Sequence, residues 1–141
     1  VLALLVGRIA TILNVGDSRA YRLRGDKISQ ITVDHSLVER LIAIGQLTRE
    51  EARHHPQKSV IYRVVGDEPS LQYDLFEVPL SSDEGLLLCS DGLTDMVEDD
   101  VIVEVWRQAP SAEAACQRLV SLANDAGGYD NITVVILNIR D

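Results

Sequence analysis

The junction Leu86-Leu87-Leu88-Cys89-Ser90-Asp91-Gly92 constrains this chain more than any other stretch. Four apolar residues in a row read as a strand buried on both faces, since a half-exposed strand alternates. Asp91 then places a carboxylate at the end of that strand. Its charge needs a metal ion, a basic side chain or backbone N–H donors to offset desolvation. Gly92 allows a sharp turn directly afterwards. A strand followed by an Asp-Gly turn or a helix cap is the plain reading. Two further aspartates in the same setting change it.

Upstream, residues 1–6 are uniformly apolar and predict a buried strand. Gly7-Arg8 fits a two-residue hairpin, with residues 9–15 returning as the second strand. Gly16-Asp17 sits between that strand and a third over residues 20–23, again in the manner of a hairpin turn. Arg24-Gly25-Asp26-Lys27 makes another turn, and residues 28–33 close the antiparallel run. Termini normally lie at the surface, so a core strand at the first residue predicts a piece of a longer domain.

The period then changes. Ser36 and Glu39 form a capping-box pattern, with Leu37, Val38, Leu41 and Ile42 at helical spacing before Gly45. Thr48 and Glu51 repeat the pattern ahead of a short polar helix that Pro56 ends. Two short helices inserted between strands predict a surface flap over residues 36–57. Strands are expected over residues 60–65 and 71–78, around a turn at Gly66-Asp67-Glu68-Pro69. After Asp95 two helices follow, the first capped by Asp99 or Asp100. The longer starts at Pro110-Ser111 and ends at Gly127-Gly128. A β-branched strand over residues 132–137 completes the chain.

Length and composition exclude several classes. The chain has 141 residues, enough for one domain with a sizeable core. A formal net charge of −9 opposes unaided nucleic-acid binding and attraction to anionic lipid. The longest apolar run, residues 1–6, cannot span a bilayer, so no membrane insertion by this chain is expected. Cys89 and Cys116 read as core thiols of a reducing compartment, which predicts a cytoplasmic location. His35, His54 and His55 lack the grouping with other ligands that zinc requires and are assigned structural roles.

Asp17, Asp91 and Asp130 each lie in a tight turn next to a strongly apolar strand. Sheets set such ends side by side, so the three could converge. At about 4 Å and an effective dielectric near 20, each pair would repel by roughly 4 kcal/mol. A divalent cation would convert that repulsion into an all-oxygen site of the kind magnesium and manganese prefer.

The stretches Gly16-Asp17-Ser18-Arg19-Ala20-Tyr21, Thr32-Val33-Asp34-His35-Ser36, residues 88–95 and Asp130-Asn131-Ile132-Thr133-Val134-Val135 occur in one order. In that order they resemble the metal-dependent protein phosphatases of the 2C type. His55-Pro56, Ile61-Tyr62-Arg63 and the flap resemble its bacterial branch. The resemblance covers essentially the whole chain. It implies an α+β fold, part of a four-layer α-β-β-α sandwich with two mostly antiparallel sheets. It also implies a signalling enzyme that hydrolyses phosphoserine and phosphothreonine on proteins, possible partners being a protein kinase and its substrates. By the same resemblance, Asp91 and Asp130 match ligands of one Mn2+ or Mg2+ of a catalytic pair, and Asp17 with Asp91 matches a third metal near the flap. No side chain is implied as a nucleophile, because a metal-activated water attacks phosphorus.

The chain departs from the family pattern at one point. No Asp-Gly-x-Gly-Gly is present, Asp91-Gly92 being followed by Leu93-Thr94-Asp95. Residues 1–141 are therefore expected to be the C-terminal portion of one catalytic domain, inactive alone and able to self-associate through exposed strands. A non-catalytic pseudophosphatase or interaction module with the same fold is the alternative. Two other hydrolase patterns fail. A Gly-Asp-Ser-Leu lipase-like reading of Gly16-Asp17-Ser18 requires an Asp-x-x-His that is missing, and Arg19 replaces the leucine. A haloacid-dehalogenase reading of Asp91 needs a second aspartate where Leu93 stands.

Overall fold

The computed structural model describes residues 1–66 and 70–139. Its strands are β1 (Leu2–Val6), β2 (Ile9–Asn14), β3 (Arg19–Arg24), β4 (Lys27–Gln30), β5 (Asp74–Pro79), β6 (Glu84–Cys89) and β7 (Val134–Asn138). Its helices are α1 (Leu37–Ala43), α2 (Arg49–Arg53), α3 (Asp91–Thr94), α4 (Asp99–Gln108) and α5 (Ala112–Asp125). The strands form two sheets, ordered β1-β2-β5 and β4-β3-β6-β7, and every pairing is antiparallel.

The apolar run organises both cores. Every residue of β6 is buried, and the strand lies between β3 and β7. Its side chains alternate between two clusters, as the pleat requires. Leu87 and Cys89 join Tyr21, Leu23, Leu93, Ile102 and Leu119 beneath α4 and α5. Leu86 and Leu88 face the other way, onto Ala10, Ile12 and Ala20 between the sheets. Three of the four expected layers are thus described: helices, four-stranded sheet, three-stranded sheet. Burial pushes the Cys89 thiol up to about 12, so it stays protonated and unreactive.

Several local expectations change. Gly16-Asp17 is not a hairpin turn, because β2 and β3 belong to different sheets and the chain crosses between them there. β1 pairs with β2 from Leu2↔Leu13 to Val6↔Ile9, as the Gly7-Arg8 hairpin predicts. It is an edge strand, however, and Leu2, Leu4 and Val6 are exposed instead of buried. No regular strand forms over residues 60–65; they make one isolated bridge, Ser36↔Ile61. Their backbone groups bond to the segment before α1 (Leu37 N–H to the Val60 carbonyl, Tyr62 N–H to that of His35), while β1 and β5 already occupy both edges of β2. The later strand begins at Asp74, not at residue 71, and Asp67, Glu68 and Pro69 of the expected turn lie outside the described residues.

The flap helices form where expected, but only one of the two predicted capping boxes is complete. Ser36 accepts from Glu39 N–H without the reciprocal bond, because Glu39 turns to Arg49. Thr48 and Glu51 make the full box. α1 buries no residue and α2 buries only Ala52. Ser111 caps α5 as expected, whereas α4 starts from Glu98 with Asp99 and Asp100 in its first turn. Among the described residues, no helix is long and apolar enough to cross a membrane.

Candidate functional site

The site lies where β2, β6 and β7 end under the flap. Asp91 is the first residue of α3, and Asp95 follows one helical turn later. Ser90 ties the end of β6 to the segment before β7. Its hydroxyl donates to the Asn131 carbonyl at 3.0 Å and accepts from Thr133 N–H at 3.0 Å, while its own N–H donates to the Thr133 carbonyl. Gly92 completes the joint, because a Cβ there would overlap the Asn131 carbonyl oxygen. Asp91 and Asp130, adjacent to these joined residues, are thereby held as neighbours.

Asp17 arrives from the other sheet. Gly16 adopts φ +101°, a left-handed conformation that other residues tolerate poorly. Asn14, Asp34 and Arg19 brace the crossing. The Asn14 amide donates to the Val33 carbonyl at 3.2 Å and, more weakly, to that of Gly16. Arg19 grips Asp34 with Nε and Nη2, and Gln30 donates to the same carboxylate at 2.8 Å. Burial works against the Arg19 charge, yet the bonds and charge of Asp34 keep the guanidinium firmly protonated.

The electrostatics single out Asp91. Partial burial raises its pKa, and the charges of Asp17, Asp130 and Asp95 raise it further. Burial likewise raises Asp17; its backbone hydrogen bond and Arg19 oppose the rise, while Asp34 and Asp95 add to it. Asp130 is exposed, and its Oδ1 accepts from Asn131 N–H at 2.6 Å. Asp17, Asp91 and Asp95 line a cavity of about 130 Å³ together with Arg49, Arg53 and Lys58 from the flap side. Lys58 reaches Asp95 at 2.6 Å, and Arg53 reaches Glu98 at 2.8 Å.

The three predicted aspartates are therefore brought into one region through Asp91. They do not close on a single point. Among the described residues, no three His, Cys, Asp or Glu side chains are close enough to hold one ion. Asp34 and Asp95 were not anticipated from the sequence. Asp95 was detectable in principle, since it falls four residues after Asp91, one turn of a helix.

Two stacked antiparallel sheets backed by helices, with a carboxylate cleft at their strand ends, define a narrow class of α+β proteins. Residues 56–132 match the family model of protein phosphatase 2C, and the chain belongs to that family. It is 39% identical over 137 residues to the serine/threonine phosphatase stp of Listeria innocua, covering 97% of this chain and 54% of that protein. The crystal structure of serine/threonine phosphatase Stp1 from Staphylococcus aureus superposes with a TM-score of 0.94 at 41% identity, over 99% of this chain and 55% of that one. The catalytic domain of serine/threonine protein phosphatase PstP, solved in complex with two manganese ions, matches at 0.87 and 35% identity, over 99% of this chain and 57% of that one. The chain thus spans about half the length of the relatives it matches.

Proposed function

We propose that residues 1–141 are the C-terminal portion of the catalytic domain of a bacterial, cytoplasmic, metal-dependent phosphatase acting on phosphoserine and phosphothreonine in proteins. A protein kinase and its substrates are the expected partners in signalling. The observation that carries this reading is Asp91, a partly buried carboxylate repelled by three others. That donor set fits a hard cation: Mg2+ or Mn2+ is commonly held by one or two carboxylates, with water filling its shell. Asp91 with Asp130 would hold one ion, and Asp17 with Asp91 a second beside the flap. When bound, such ions supply a nucleophilic water at neutral pH and charge to stabilise in-line displacement at phosphorus. The chain's own residues orient the carboxylates, through Ser90 and Gly92 on one side and the Gly16 crossing on the other. Lys58, Arg49 and Arg53 stand on the flap side of the cleft, each paired with a carboxylate (Asp95, Glu39 and Glu98 respectively), so attraction of a phosphate dianion would fall to the bound ions.

The test is a reversal of sign. Asp91→Asn removes a repelled charge, so without metal the variant should melt higher than wild type. With Mn2+ present, wild type should gain stability and the variant should gain much less. Equal Mn2+-induced shifts in both proteins would refute the assignment. The lack of an Asp-Gly-x-Gly-Gly motif predicts little turnover of para-nitrophenyl phosphate by this chain alone.

A further inference from the structure

Gly16 is pinned on both sides by one residue. The Gly16 N–H donates to His35 Nδ1 at 3.1 Å, and the His35 backbone N–H donates to the Gly16 carbonyl at 2.9 Å. Those bonds fix the peptide before Gly16 and the peptide after it, and the second of these leads directly into Asp17. His35 itself is 1% exposed. Because Nδ1 accepts, the neutral ring must carry its proton on Nε2. That N–H points to Asp74 Oδ2 at 3.1 Å. Arg63 Nη1 donates to the other oxygen, Asp74 Oδ1, at 2.9 Å; its 3.0 Å approach to Nε2 sets two donors together and is no hydrogen bond. The His35 bond, opposed by partial desolvation and aided by Arg63, holds the Asp74 carboxyl below its ordinary value. The Arg63 carbonyl also lies against Gly16, 3.9 Å from where a Cβ would stand.

We propose that His35 is a positioning residue for Asp17, and that through it the segment carrying Tyr62 and Arg63 sets the geometry of the metal site beside the flap. The inference rests on the assignment of Asp17 as a metal ligand. The imidazole adds a side-chain link between the crossing and the Arg63–Asp74 ion pair, whose Asp74 also stands opposite Asn14 in the β2–β5 ladder. A shift of residues 61–63, which follow the flap, reaches His35 through its backbone carbonyl, which accepts from Tyr62 N–H at 2.9 Å. From there it reaches the peptides that hold Asp17. Orienting partners of this kind typically contribute tenfold or more to metal affinity.

Two conservative variants separate the links. In His35→Asn the amide oxygen stands where Nδ1 stood, so it retains the acceptor for Gly16 N–H and loses Asp74. In His35→Gln the amide nitrogen reaches toward the Nε2 position, so it retains Asp74 and loses Gly16. Mn2+ titration by calorimetry first defines the component lost in Asp17→Asn. His35→Gln should weaken that component about tenfold or more, while His35→Asn keeps it within about threefold. Amide exchange at Gly16, measured without metal, should accelerate in His35→Gln alone. The 15N spectrum of the wild-type ring should show the Nε2–H tautomer. Equal loss of Mn2+ affinity in both variants, or no loss in either, would overturn the positioning role. A wild-type titration indifferent to Asp17→Asn would instead overturn the metal assignment on which it rests, whatever the Gly16 exchange shows.

Discussion

Gly92→Ala should damage fold and site together, and the size of the effect follows from one contact. The added methyl would overlap the Asn131 carbonyl oxygen and lie 3.0 Å from its carbonyl carbon, with Ile132 Cγ1 a further 3.5 Å neighbour. Both close atoms are backbone, so no rotamer change relieves the clash. Either α3 or the segment before β7 must move by roughly half an ångström or more, which forfeits a quarter to a half of each local packing contact. Overpacking of this kind costs about 1–3 kcal/mol, or a fall in Tm of about 3–10 °C for a chain of this size. The same movement separates Asp91 from Asp130, so Mn2+ affinity should fall about tenfold. Gly7→Ala is the control: it has open space around its Cβ and only the strain of φ +59°, costing about 1–2 kcal/mol. It should lower Tm without touching Mn2+ binding. Thermal melts and calorimetric titrations decide the matter. A Gly92→Ala protein with wild-type Tm and wild-type Mn2+ affinity would show that the close approach does not build the site.

Three further outcomes follow from the same structure. Glu84 is buried, and although desolvation pushes its carboxyl up, bonds from Ser81 N–H and Arg22 and the charges of Arg22 and Arg24 leave it below its ordinary 4.5. A lowered folded-state value means stability that is full above about pH 4.5 and lost as pH falls from there through the lower folded-state value; Glu84→Gln should flatten that part of the stability–pH profile, and an unchanged slope would exclude the residue as its source. Residues 36–57 should exchange amide hydrogens faster than β6, since α1 buries nothing and α2 only Ala52; equal protection by mass spectrometry would contradict this. The exposed row Leu2, Leu4 and Val6 on an edge strand should drive self-association that light scattering detects as concentration rises, and Leu4→Lys should suppress it. A wild-type protein that stays monomeric throughout would refute this expectation.

What the sequence disclosed was set by how local each signal is. The buried run over residues 86–89, the capping box at Thr48, the helix start at Ser111 and the Gly7-Arg8 hairpin are written within a few residues, and all form as read, β6 extending back to Glu84. Residues 60–65 have the β-branched composition of a strand, but strand formation depends on tertiary pairing, and here their backbone groups bond around Ser36 instead of joining a sheet. The Gly16-Asp17 crossing fails for the same reason: a hairpin and a switch between sheets share a turn sequence, and only tertiary pairing separates them. Of the site, the aspartates were legible because each interrupts or abuts an apolar run. The braces were not. Asp34 and the His35 ring owe their roles to partners far along the chain, and no local pattern records such pairs.

The knitting of Ser90 to Asn131 spans 41 residues of sequence, and the Arg22–Glu84 pair joins strands 62 apart. Loops of that length close slowly, because chain entropy must be given up before any contact rewards it. The Asp91–Asp130 pairing therefore cannot exist in a partly synthesised chain. Asp91 leaves the ribosome well before Asp130, and until β7 docks it has no second oxygen donor from that segment. On the proposed assignment, capture of a cation between Asp91 and Asp130 would wait until β7 has docked. A nascent chain halted before residue 130 would carry the fully buried strand β6 with one edge uncovered.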